Sequence, residues 1–152
     1  MTKPRATPVS VALPAALTDH AGYLAVLLGQ RARRAFEAAI ATLDLRPMQY
    51  DYLATVADHG PTSQRELAAA LSFDPARIVA LTDELERRGL VVRTADTEDR
   101  RRNHIGLTRE GRALTRRVHR ISLEVEAQLL AELSEAERKA IRALMRRALG
   151  LS

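Results

Sequence analysis

The chain has 152 residues, 46% of them hydrophobic and 28% charged, with a net charge of +5. That length suits one domain or two small, closely packed parts, and the basic surplus suits a polyanionic partner. Cysteine is absent, which excludes disulfides, thiol redox sensing and Cys-based zinc sites. Aromatics are only 3%, so the core must be built from Leu, Ile, Val and Ala, and the Ala-, Leu-, Arg- and Glu-rich remainder favours helix. No stretch is long and apolar enough to span a membrane, and the run from Val9 to Leu17, broken by Ser10 and Pro14, is a poor leader-peptide core. A cytoplasmic protein is expected.

Taken in chain order, residues 1–16 carry Pro4, Pro8 and Pro14 among small residues and read as a flexible or extended arm. Thr18 or Asp19 can cap a helix running to Leu43, with Leu24, Leu27, Leu28, Ala35, Ala39 and Leu43 at helical spacing. A second helix is expected from Pro47 to Asp58, turning Leu53, Val56 and Ala57 inward and stopped by His59-Gly60-Pro61. Ser63 and Glu66 have capping-box spacing and open a short third helix that ends near Ser72. Asp74-Pro75 starts a fourth, with Ile78, Leu81 and Leu85 on one face and Gly89 beyond its last turn. The period then changes. Leu90 to Thr94 reads as a strand, Ala95 to Arg102 as a charged loop and Asn103 to Leu107 as a return strand. Thr108 caps a long helix with the stripe Leu114, Val118, Ile121, Val125 and Leu129. Ser134-x-x-Glu137 opens a last helix bearing Ile141, Leu144, Met145, Ala148 and Leu149 on one side.

The order helix, helix, tight turn, helix, hairpin is that of a winged helix-turn-helix. The helix from Ser63 would brace against the DNA backbone and the helix from Asp74 would enter the major groove, which is wide enough for one helix. The outward candidates at the start of that helix are Asp74, Pro75, Ala76, Arg77 and Ala80, and Arg77 alone among them has a long donor. An ordinary amphipathic core helix would show the same pattern. The hairpin tip adds weight to the DNA reading: Arg100, Arg101 and Arg102 follow Asp96 and Asp99, so acids can brace the loop while guanidiniums reach phosphate or the minor groove. A solvated charged turn is the plain alternative.

Leu67-Ala68 through Leu71, then Ile78, Leu81, Asp83, Leu85, Glu86 and Arg88-Gly89-Leu90-Val91, then Asp96-x-x-Asp99-Arg100-Arg101 and Leu107-Thr108-x-x-Gly111, resemble the MarR family of bacterial regulators. The resemblance runs from Leu17 to Leu149 and is most specific from Arg88 to Gly111. It implies a mainly α fold with a small β-hairpin wing, a winged helix-turn-helix (46–107) set between N- and C-terminal dimerisation helices (17–45 and 108–152). It also implies a homodimer on a pseudo-palindromic double-stranded DNA operator. The long apolar stripes agree, because they need more partner surface than a small winged helix supplies, although an intrachain bundle would cover part of them. The expected DNA contacts are Ser63, Gln64, Asp74, Ala76, Arg77, Ala80, Arg100, Arg101 and Arg102, with Asp96 and Asp99 shaping the wing.

The resemblance further implies a small aromatic or anionic effector between the dimer helices and the reading domain. The candidates to line that site are Tyr23, Arg31, Met48, Tyr50 and Tyr52, each of which also fits a packing role. Two departures stand out. Val79 and Ala80 occupy reading-helix positions where many members carry a small polar residue and Arg, and Glu84 replaces a frequently basic one. His20, His59, His104 and His119 are scattered without metal-ligand spacing, and no phosphate loop or nucleophile motif is present, so neither metal, cofactor nor enzymatic activity is expected. A regulator, repressor or activator, is one reading; a winged-helix protein-interaction module without DNA binding is the other.

Overall fold

The computed structural model describes residues 13–95 and 103–151. In order these form α1 (Ala15–Thr18), α2 (Ala21–Ile40), a 3-10 turn (Ala41–Leu43), α3 (Pro47–His59), α4 (Gln64–Leu71), α5 (Pro75–Arg87), β1 (Val91–Ala95), β2 (Asn103–Leu107), α6 (Arg109–Leu129) and α7 (Glu135–Ala148).

Most boundaries follow local chemistry. Ser63 Oγ accepts from the Glu66 N–H while the Glu66 carboxylate accepts from the Ser63 N–H at 2.8 Å, closing the box at the start of α4. Asp74 Oδ1 accepts from the Ala76 N–H at 2.8 Å and Pro75 takes the first position of α5. Thr108 Oγ1 accepts from the Gly111 N–H at 2.9 Å, and Ser134 with Glu137 repeats the capping box on α7. Gly60 and Gly89, at φ of 75° and 67°, end α3 and α5 in backbone that L side chains avoid.

The first helix starts later than Thr18 or Asp19 would set it. Thr18 donates its hydroxyl back to the Ala15 carbonyl within the single turn of α1, and Asp19 is the C-cap of that turn, so α2 begins after His20. It also ends earlier, at Ile40, where the chain tightens into the 3-10 turn and leaves through Asp44 in the left-handed region. Ala57, expected inside, is exposed; Gln49 and Tyr52 are buried on α3 instead. The outgoing strand is Val91–Ala95, one residue later than expected.

The strands pair antiparallel in the register Val91↔Leu107 through Ala95↔Asn103. Thr62 adds a bridge to the outer side of β2, its N–H reaching the Ile105 carbonyl at 3.1 Å and its carbonyl receiving the Ile105 N–H at 2.8 Å. The core is Ile40, Leu45, Tyr52, Leu53, Val56, Leu67, Ile78, Leu81, Leu85, Leu90, Val91, Ile105, Leu107 and Val118. Nearly all of it belongs to α3 through β2. Among the described residues no helix is long and apolar enough to cross a membrane.

Candidate nucleic-acid interface and effector cleft

The α4–α5 pair is set by its turn. Ser72 takes a φ of 52°, and the N–H groups of Ser72 and Phe73 close on the end of α4, that of Phe73 reaching the Ala68 carbonyl at 3.0 Å. This compact connection lets Leu67 pack with Ile78, Leu81 and Leu85 while the opposite face of α5 stays in solvent. Ala76, Arg77, Val79 and Ala80 are all exposed, as are Asp74 and Pro75 at the helix start. Ser63 and Gln64 are half-buried at the start of α4. Backbone hydrogen bonding from Ser63, aided by the Ser63 and Thr62 hydroxyls, pulls the Glu66 carboxyl down to about 2, so the box is charged at neutral pH.

The reading helix is braced from both sides. Glu84 does not face outward to DNA. Its carboxylate pairs with Arg46 and accepts from Gln49 Nε2 at 2.8 Å, joining α5 to the start of α3. This explains an acid at a frequently basic position: the charge is used inside the domain. On the wing side Arg93 of β1 pairs with both Asp83 and Glu86 of α5, which fixes the hairpin base against the reading helix. The sequence reading did not single out Arg93. The available signal was the spacing of Asp83 and Glu86, three residues apart and hence on one helix face, before an Arg in the next strand.

The described strands are Val91–Ala95 and Asn103–Leu107. Asp96, Asp99, Arg100, Arg101 and Arg102, the expected wing tip, lie outside the described residues.

A cleft of about 1020 Å³ opens between α2, α3, α5 and α6. Its walls include Phe36, Met48, Phe73, Val125 and Leu129, with Arg33, Arg46, Arg77, Glu37, Asp51 and Glu126 around them. It lies where the long helices meet the reading unit, and aromatic, thioether and guanidinium groups together suit a planar ligand with an anionic group. Burial raises the Asp51 carboxyl above its ordinary value.

The five effector candidates do not come together. Met48 lines this cleft. Tyr50 packs against Phe36 at 5.5 Å between ring centroids and lines a separate groove of about 460 Å³ with Thr115, Arg116, His119 and Arg120. Tyr52 belongs to the core: it is fully buried, its hydroxyl is 2.7 Å from that of Thr82, and burial pushes its phenol up to about 12. Tyr23 and Arg31, near the start and middle of α2, border neither space. Sequence reasoning missed Phe36, Phe73, Arg33 and Arg46. The cleft joins four elements, and only the tertiary arrangement brings their faces together.

The comparisons agree with this architecture. Residues 43–102 match the MarR family profile. The HTH-type transcriptional repressor NicR of Pseudomonas putida is 32% identical over 94% of this chain and 92% of its own length. The transcriptional repressor CouR, bound to a 23-mer DNA duplex, superposes with a TM-score of 0.78 at 30% identity, covering 91% of this chain and 99% of that one. BpsR of Bordetella bronchiseptica, whose DNA binding is regulated by 6-hydroxynicotinic acid, gives 0.73 at 27% identity over 90% and 97% of the two chains. With an exposed α5 on a braced helix-turn-helix and these relatives along nearly its whole length, the chain belongs to the MarR family and is a DNA-binding transcriptional regulator.

Proposed function

We propose that this regulator is a homodimeric repressor that binds a pseudo-palindromic operator and is released when a small aromatic anion enters the cleft. One observation carries the dimer. Most of the large apolar side chains left in solvent lie on the terminal helices or at their ends: Leu17, Leu24, Val26, Leu123, Leu144, Met145 and Leu149 are each at least 38% exposed, with Val79 and Val92 the exceptions in the reading unit, and α7 buries no residue at all. A two-fold partner covering these faces would place two α5 helices one helical turn of DNA apart. The domain division follows. Residues 46–107 read DNA, while 17–45 and 108–152 form the dimer. The repressor sign and the ligand class rest on the relatives, in particular NicR and BpsR.

DNA contact is assigned to Ser63 and Gln64 on the backbone, to Asp74, Ala76, Arg77 and Ala80 around the start of α5, and to Arg100, Arg101 and Arg102 in the wing, with Asp96 and Asp99 as its braces. Because α5 offers so few long donors, the wing carries much of the affinity. Binding to a duplex from the protein's own promoter will weaken steeply with salt as phosphate contacts release counterions. Arg100→Ala and Arg101→Ala will each weaken binding by about tenfold and flatten the salt slope by about one, as for any lost phosphate contact. Anisotropy titrations at several salt concentrations measure both. Unchanged affinity and slope in both variants would remove the wing assignment.

A further inference from the structure

The three guanidiniums in the cleft wall are not equivalent. Arg33 is held by Glu37 at 2.8 Å, and Arg46 by Glu84. Arg77 has no carboxylate partner among the described residues; its guanidinium carbon lies 4.9 Å from the centroid of the Phe73 ring, itself part of the cleft. The acid of the opposite wall, Glu126, is engaged with Arg142 at 2.7 Å. Although Glu37 and Asp51 also stand in the wall, an anion entering the cleft meets in Arg77 a guanidinium with no carboxylate on it among the described residues, set beside the Phe73 ring.

Arg77 also stands in the first turn of α5. Its neighbours on the exposed side are Ala76, Val79 and Ala80, so through the first two turns of the reading helix it is the only long hydrogen-bond donor. The side chain that completes the cleft is thus the one the reading helix has for phosphate or a base edge. A contact with an aromatic ring is weak enough at an exposed site to be exchanged for either partner.

We propose that Arg77 is a shared contact, pairing with DNA when α5 is docked and with the anionic group of the cleft ligand when the cleft is filled, so that ligand and DNA compete for one side chain. This rests on the effector reading above and adds how the two sites are coupled. A coupling carried only by rearrangement of helices would leave residue 77 without special weight. Direct competition makes the coupling depend on the charge at that position.

The test uses the full-length dimer, a promoter duplex and 6-hydroxynicotinate as probe, with 2-pyridone as the same ring lacking the carboxylate. In the wild type, saturating 6-hydroxynicotinate is expected to weaken DNA binding by about tenfold, within the usual range of allosteric coupling, and 2-pyridone to leave it unchanged. Arg77→Gln is expected to bind DNA several-fold more weakly, with a salt slope shallower by about one, and to lose most of its response to the probe. Arg77→Lys, which keeps the charge, retains the response. Thermal unfolding of both variants checks that they are folded. Wild-type DNA affinity and salt slope in Arg77→Gln, or a probe response as large as in wild type, overturns the shared contact while leaving the effector reading intact. A wild type indifferent to 6-hydroxynicotinate sinks the effector reading, and the shared contact with it.

Discussion

The reading unit, α3 through β2, and the terminal helices, α2, α6 and α7, are equally well specified as secondary structure but differently completed. Each region has a helix that begins on a strong local signal, although α2 starts after His20 with no side-chain cap. Ser63 with Glu66 opens α4, and Ser134 with Glu137 opens α7 by the same geometry. Yet α4 delivers Leu67 into the core at 0% exposure, whereas α7 leaves Leu144 60% and Leu149 72% exposed. Capping decides where a helix starts and says nothing of what its apolar face will cover. The reading unit closes on itself because its elements are short and mutually adjacent. Of the terminal helices, α2 and α6 are long, at 20 and 21 residues, and α7 buries none of its residues within the chain.

The largest effect should come from the joint between the two regions. A methyl placed on Gly111, in the first turn of α6, would lie 1.9 Å from the Leu90 carbonyl oxygen, which is rigid backbone at the entry to the wing. Gly111→Ala is therefore expected to destabilise the protein by about 3 kcal/mol, at the upper end of ordinary overpacking, because α6 must shift away from the hairpin. Chemical denaturation measures it. A loss below about 0.5 kcal/mol, the range of neutral surface changes, would mean that the two regions are not seated against each other as described.

A double substitution of Leu144→Glu and Leu149→Glu tests the other side of the comparison. It places two carboxylates on a face that is already exposed in the single chain, so the monomer fold should persist with unchanged helicity. Self-association should weaken by about 100-fold or more, since each tenfold corresponds to only about 1.4 kcal/mol and buried unpaired charge costs more. Sedimentation and circular dichroism separate the outcomes. An unchanged dimer would show that the partner covers a different face; a lost fold would show that α7 is needed within its own chain.

A smaller effect is expected at the start of α4. Ser63→Ala removes the hydroxyl half of the capping box and should cost about 1 kcal/mol at neutral pH. The Glu66 carboxyl lies near 2 in the folded protein against an ordinary 4.5, so its contribution is present above 4.5 and lost as the pH falls from there toward 2. The stability gap between Ser63→Ala and wild type should therefore narrow in acid. A gap constant from pH 7 to pH 3 would argue against the box as the source of the difference.

Much of the fold was legible because its signals are local. Asp74-Pro75, Thr108 and the two Ser-x-x-Glu boxes act over three or four residues, and the alternation in Asn103–Leu107 reflects one buried face of a two-residue period. Where local cues compete, the reading slipped. Thr18 and Asp19 are both good caps, but a preceding helical turn consumed them, and α2 starts at Ala21. Tyr52 is a cleft candidate by sequence because it shares with Tyr50 a helix that the family resemblance places beside the effector site. Two residues is about 200° around a helix, so the two rings face different surroundings, and Tyr52 meets Thr82 in the core.

By itself, then, the sequence determined the element order, the helix-turn-helix spacing and the family motif from Arg88 to Gly111, all of which depend on residues near one another in the chain. Only the tertiary structure decided that Glu84 braces Arg46 and Gln49, that Arg93 ties the wing base to α5, and that Phe73 and Arg77 share a cleft with residues of α2, α3 and α6. A charged side chain has no periodicity that names its partner. Its pairing is set by which elements pack together, and that is determined when the apolar faces of α3, α4, α5 and the hairpin close on one another.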